Sequence, residues 1–355
     1  MMRTKREAEH TGNAGVPEII MRFFSRDKLI PLAMFALLSL VIGISNPMYF
    51  TWGNWQNMLM QVSNVGIIAL GAMIVVTSGG LDFTAGEGVS LAGTFAATTF
   101  VFTRMSNPPT IIAGIIMGSA MGAVNGLLIT KMRLPPFIAT LSMMTIIKGA
   151  LLFLAEGSII HIDVPGSTFT RIGQGVIPFP GGRQTLTGAA LGMPIAFLIF
   201  MGVAVAVYFL IHRTKFGQAM FAMGGNEEAA RLAGVKVDFY RFWVYVAAGT
   251  LTGIGAVITL ARVASIGISL GGTTLLLDAV AAAVIGGTSV SGGRCTVFGV
   301  VIGTFIVICI TSALIFLNVD PNWREIVKGL IILVALGMNY IVTSAGDSAK
   351  ARAKA

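Results

Sequence analysis

A chain of 355 residues that is 55% hydrophobic and 11% charged, with a mean hydropathy of +0.84, lies far below the roughly 25% of charged residues in a soluble domain. So little charge cannot cover a water-facing surface, which excludes a soluble globular protein and leaves a polytopic bundle of transmembrane helices, an all-α fold in the bilayer. The net charge of +9 comes without a basic stripe interleaved with aromatics, so no nucleic-acid partner is expected and membrane topology accounts for the excess.

In chain order, residues 1–28 are polar and basic and read as a cytoplasmic N-terminal tail. The first apolar run begins at Leu29 and no small-residue cleavage site follows it, so this span is expected to be retained. Apolar runs then predict spans near 29–45, 58–78, 85–102, 109–130, 136–155, 189–211, 242–261, 274–288, 297–317 and 324–343, each to be weighed against the ~20 residues needed to cross the hydrocarbon core. The third and eighth are short and Gly-rich, as broken or tilted helices are. Residues 29–343 are thus expected to form the transmembrane domain, and 344–355 a cytoplasmic C-terminal tail.

With about ten spans and both termini cytoplasmic, seventeen Lys and Arg fall on the internal side. Only Arg104, Arg171, Arg183, Arg262 and Arg324 fall outside. That is the bias expected of cytoplasmic loops, and nine spans would put one basic terminus on the wrong side. The longest connections are an external loop, 156–188, and an internal loop, 212–241. The 44 glycines recur beside Ala, Ser and Thr within spans, the composition that lets helix backbones approach closely in lipid.

Two segments share an apolar run, a Gly/Ser/Thr hinge on the internal side, and a second apolar run. The first is Val75-Val76-Thr77-Ser78-Gly79-Gly80 leading to Ala92-Gly93-Thr94-Phe95. The second is Val284-Ile285-Gly286-Gly287-Thr288-Ser289 leading to Ile302-Gly303-Thr304-Phe305. The pattern fits either an internal repeat, common in transporters, or the shared composition of tight membrane hairpins. Polar residues in or near spans are Asn64, Asp82, Glu87, Asn125, Lys148, Asp278 and Lys328. A charge at mid-bilayer costs about 2.5–3.5 kcal/mol on insertion scales and must face protein or water. Asn64, Asp82, Asn125 and Asp278 are therefore candidate gating or pathway residues, with hinge capping the competing role for the two aspartates. Lys148 is read as snorkelling.

No Lys follows Gly and precedes Ser or Thr, so the chain has no phosphate-binding loop of the G-x-x-x-x-G-K-[ST] kind. It also lacks H-E-x-x-H and G-x-S-x-G. Cys295 and Cys309, the two cysteines, make neither a disulfide framework nor a metal site. No catalytic site and no cofactor are expected.

The internal loop carries Gly224-Gly225-Asn226-Glu227-Glu228-Ala229-Ala230-Arg231-Leu232-Ala233-Gly234. Asn226 is a good N-cap, Glu227 and Glu228 sit at the positive end of the helix dipole, and Gly234 is a suitable terminator. A short capped helix is predicted, with Glu228 and Arg231 free to pair across a subunit surface and Leu232 to fill an apolar notch.

This loop resembles the L-G-G-N-x-x-A-A-R-L-S/A-G motif of ribose-type sugar permeases of ATP-binding-cassette importers. Further matches to that family are Thr77-Ser78-Gly79-Gly80-Leu81-Asp82-Phe83-Thr84-Ala85-Gly86, the stretch Leu134 to Leu141, and Leu277-Asp278 through Thr288-Ser289. Cys295 departs from it, since a Gly usually follows the basic residue of the Gly-Gly turn, here Gly292-Gly293-Arg294. The resemblance implies a permease subunit that forms the path of a simple sugar across a bacterial inner membrane. It makes 224–234 the segment touching a cassette ATPase, and adds an extracytoplasmic sugar-binding protein and a second permease copy, as homodimer or close heterodimer. The competing reading is an ion-coupled secondary transporter, which shares the spans and broken helices but needs no such docking helix. The external loop, with His161, Asp163, Arg171, Gln174 and Arg183, is the expected docking surface for the binding protein.

Overall fold

The computed structural model describes residues 26–103, 106–154, 159–162, 168–179, 191–267, 270–320, 323–327, 329–330 and 333. Twelve helices can be followed among them: α1 (Arg26–Ser45), α2 (Trp52–Thr77), α3 (Ala85–Phe102), α4 (Asn107–Thr130), α5 (Pro136–Leu154), α6 (Thr170–Gln174), α7 (Ile195–Arg213), α8 (Lys215–Gly225), α9 (Glu227–Leu232), α10 (Val237–Val263), α11 (Gly272–Ile285) and α12 (Val297–Phe316).

Local chemistry sets the boundaries. α4 and α5 each begin at prolines, which cost nothing where the N–H has no intrahelical partner. α10 stops at Ala264 in the left-handed region, φ 57°. α12 starts at Thr296, whose hydroxyl accepts from the Gly299 N–H at 2.9 Å.

Six of these helices, α2, α4, α5, α7, α10 and α12, are long and apolar enough to cross a membrane. α3 has 18 residues and α11 only 14. At 1.5 Å per residue α11 is about 21 Å long, short of the ~30 Å hydrocarbon core. Most of the tenth expected span, 324–343, lies outside the described residues, as do residues 1–25 and the C-terminal tail, while residues 26–28 of the expected N-terminal tail already belong to α1. The expected 189–211 span begins only at Ile195, because 192–194 is extended and pairs with another strand.

That pairing is one of two short antiparallel ribbons: β2 (Val176–Pro178) with β3 (Gly192–Pro194), and β1 (Ile160–His161) with β4 (Ser265–Ile266). The fold is therefore mostly helical rather than wholly so. Both ribbons involve the connection after α5, where apolar periodicity gives no signal.

The bundle is built around α2, which is buried almost continuously from Val62 to Ser78 and contacts α7, α10, α11 and α12. α4 and α10 share the most extensive contact among the described helices. Gly114, Gly118, Gly122 and Gly126 form a stripe at four-residue spacing on α4. A Cβ on Gly253 of α10 would lie 2.6 Å from the Gly114 carbonyl oxygen, so no larger residue fits this crossing. Backbone contact of this kind supplies dispersion energy where lipid provides no hydrophobic drive.

Candidate functional site

The motif loop folds as two helices. α8 runs to Gly225, the chain breaks at Asn226 with extended backbone (φ −159°, ψ 106°), and α9 begins at Glu227. The Asn226 side chain accepts from the Ala229 N–H at 2.9 Å, satisfying one orphan donor of the first turn. The Gly234 N–H donates to the Arg231 carbonyl at 3.0 Å, and its φ of 82° closes the helix.

A charge chain binds α9 to the start of α10. Glu227 bridges Arg241 at 2.6 Å and Arg231 at 3.1 Å, and Arg231 reaches Asp238 at 2.6 Å. The hydrogen bond from Arg241, against an opposing burial effect and with help from Arg231, holds the Glu227 carboxyl below its ordinary range. Arg231 is thus engaged within its own chain while its side chain stays about half exposed. Glu228 is exposed and Leu232 is 85% exposed beside it.

Three distant segments meet at Gly224. A Cβ on that residue would collide with the Thr77 carbonyl oxygen at the end of α2 and lie 2.7 Å from the Gly293 nitrogen. A Cβ on Gly292 would lie 2.6 Å from the Gly224 oxygen. The Gly293 N–H donates to the Thr77 carbonyl at 2.9 Å, and Cys295, where the resemblance expects Gly, is buried. Burial pushes the Cys295 thiol up. The break between α8 and α9 therefore rests against both Gly-rich hinges at once. Gly225 differs: a Cβ there meets nothing within 4 Å. Sequence reasoning quoted all three segments without seeing that they touch, because nothing in their spacing encodes the contact.

The polar candidates are placed as follows. Asp82 accepts from the Thr84 N–H at 2.8 Å and from its hydroxyl, and Asn125 donates to that hydroxyl at 2.8 Å. The carbonyl of Leu81 accepts from Tyr245 at 3.1 Å and Thr140 at 3.3 Å. Asp82 and Asn125 thus share one network around the first hinge. Asn64 on α2 accepts from Thr259 on α10, away from that network, and Asp278 is buried on α11. In the external-loop group, His161 pairs with Ser265, Gln174 donates to the Arg262 carbonyl at 2.9 Å and Arg171 is exposed. Asp163 and Arg183 lie outside the described residues. Among the described residues no His, Cys, Asp and Glu cluster could hold a metal ion.

Residues 54–336 match the family described as branched-chain amino acid transport system / permease component. The chain is 34% identical to the ribose import permease protein of Bacillus subtilis, over 87% of this chain and 91% of that one. It is 34% identical to the galactose/methyl galactoside import permease protein of Escherichia coli, over 88% and 93%, and 30% identical to the xylose transport system permease protein of the same species, over 89% and 94%. No solved structure matches it.

Proposed function

Because this chain belongs to the family of branched-chain amino acid transport system permease components, we propose that it forms the membrane path of a simple sugar, with the α8–α9 junction taking up the force of ATP hydrolysis. It is a multi-pass permease subunit of an ATP-binding-cassette importer, and hydrolysis belongs to a separate ATPase subunit. A substrate-binding protein completes the import system. A monosaccharide cargo is favoured over an amino acid because the relatives matched along nearly their whole length are named for ribose, galactose and xylose.

Ten spans over 29–343, with both termini and the 212–241 loop in the cytosol and the 156–188 loop outside, agree with the seventeen-to-five placement of basic residues. Cysteines placed at Ser167 and Ser348 then label from opposite faces of the membrane. A second permease copy, identical or closely related, completes the path.

The observation that carries the coupling role is the wedge at Gly224. A force-transmitting element must be stiff and must touch what moves. α9 is capped at Asn226, closed at Gly234 and cross-braced by Glu227, Arg231, Asp238 and Arg241. Its root presses on Thr77 and on Gly292–Gly293. Exposed Glu228 and Leu232 face away as the contacts offered to the ATPase. The double variant Glu228→Arg, Gly234→Pro removes one contact and replaces a φ of +82° with proline's roughly −65°. In vesicles supplied with the ATPase subunit, it should insert and assemble but lose ATP-driven uptake. Wild-type uptake by that variant would show that force enters elsewhere.

A further inference from the structure

The exposed faces of three long apolar helices differ in kind. On α4 the outward stripe is Ile112, Ile116, Val124 and Leu127, and on α7 it includes Leu198, Val205 and Phe209, all apolar as lipid contact requires. On the middle turns of α5 the exposed residues are Ser142, Thr145, Lys148 and Gly149, with Ile146 at their edge, and exposed Leu141 and Leu152 bound this polar stretch at either end. Ser142, Thr145 and Gly149 lie within one helical stripe by their three- and four-residue spacing, with Lys148 on its flank.

Lys148 stands about 18 Å along the axis from Pro136, well inside the span. An ammonium there costs about 2.5–3.5 kcal/mol if it faces hydrocarbon. α5 packs against α3, where the Glu87 carboxyl is 5% exposed and its Oε2 has no hydrogen-bond partner among the described residues. A lysine and a carboxyl on two packed helices offset one another. The hydroxyls of Ser142 and Thr145 stand beside them, Thr145 donating to the Leu141 carbonyl of its own helix at 3.2 Å and free to accept. Neutral, hydroxyl-rich solutes suit such a surface and ions do not.

We propose that the α5 face carrying Ser142, Thr145 and Lys148, backed by Glu87, lines the water-filled path and contacts a neutral polyhydroxylated solute. The choice of solute rests on the sugar reading above; the assignment of the face to water does not.

Single cysteines at Ser142 and Thr145, and at Ile116 and Val205 as lipid-facing controls, are treated in vesicles of the assembled transporter with a charged, membrane-impermeant thiol reagent. The native chain, whose Cys295 and Cys309 are both buried, sets the background. Positions 142 and 145 should label and 116 and 205 should not, and excess ribose, galactose or xylose should slow the first pair. Labelling with no protection by any of the three keeps the path and removes the sugar reading. Cysteines at 142 and 145 as silent as those at 116 and 205 would put this face in lipid and overturn the proposal. Disulfide-linked dimers through 142 or 145 without labelling would make it a seam between copies, and overturn it equally. Lys148→Met and Glu87→Gln should each lower uptake about tenfold, with the double variant recovering most of it, as coupled neighbours do. Independent, additive losses would remove the pair from the proposal.

Discussion

The two Gly-rich hinges begin alike and end differently. After α2, Gly80 N–H donates to Val75 O at 3.1 Å and Gly79 N–H to Val76 O at 3.0 Å, with Gly79 at φ 81°. After α11, Thr288 N–H donates to Ala283 O at 3.1 Å and Gly287 N–H to Val284 O at 2.9 Å, with Gly287 at φ 90°. Both are Schellman caps, one bond spanning six residues and one spanning four. The helices that follow each carry a Gly-Thr pair whose hydroxyl bonds back one turn, Thr94 to Ser90 and Thr304 to Val300, both at 2.8 Å. The same cap also closes α9, at Gly234, and α12, at Asn318, so the likeness of the two hinges is that of tight helix ends and does not by itself mark an internal repeat.

Beyond the caps the likeness stops. The first hinge is pinned to the bundle by Tyr245, Thr140 and Asn125. The second closes on itself through Ser289 N–H to Arg294 O at 3.0 Å and then leans, through Gly292 and Gly293, on Gly224 and Thr77. One hinge is anchored by side chains of neighbouring spans and the other by the backbone of the α8–α9 junction. In the proposed coupling, a push on α9 would reach the second hinge through Gly292–Gly293 and the first through the Thr77 carbonyl.

The largest effect should come from Gly224→Ala, which forces a Cβ into the Thr77 carbonyl oxygen. Uptake should be lost even where the bundle still assembles, as read by transport against ATP hydrolysis in vesicles. Next, Gly79→Ala and Gly287→Ala should each cost about 1–2 kcal/mol of stability, because both residues occupy the left-handed region. Near-equal losses of thermal stability in detergent would support the equivalence of the caps, and a large inequality would break it. Asn226→Ala should cost about 0.5–2 kcal/mol of local helix stability, seen as faster amide exchange in α9 with the spans unaffected. Tyr245→Phe should cost about 1 kcal/mol by removing one hydrogen bond from the first hinge, while leaving exchange in the second unchanged.

The smallest effect is one of pH. The Glu227 carboxyl is depressed, so its contribution is present above the ordinary Glu value of about 4.3 and is lost as pH falls through the lower folded value. The stability difference between the native chain and Glu227→Gln should be flat above that range and shrink below it.

Much of this was readable beforehand for stated reasons. The bounds of α3 follow from a polar hinge at one end and loss of apolar residues at the other, and the α9 cap from Asn226 followed by two acids. Helix α8 before that cap is not legible, because Gly217, Gly224 and Gly225 read as loop residues. The partners of Arg231 were missed because Asp238 and Arg241 lie beyond the motif, and the ribbons because short strands in a polar connection have no period to detect. The junction itself is a meeting of backbones, Thr77, Gly224 and Gly292–Gly293, and side-chain patterns do not record backbone contacts.

The central claim, that force passes through the backbone at Gly224, is tested most directly by setting Gly224→Ala beside Gly225→Ala. The two differ by one position at the end of α8, yet a Cβ collides at the first and meets nothing at the second. Sugar taken up per ATP hydrolysed, measured in vesicles with ATPase and binding protein supplied, should collapse for Gly224→Ala and stay at the native level for Gly225→Ala. Native coupling in both variants, or equal loss in both, would contradict the account.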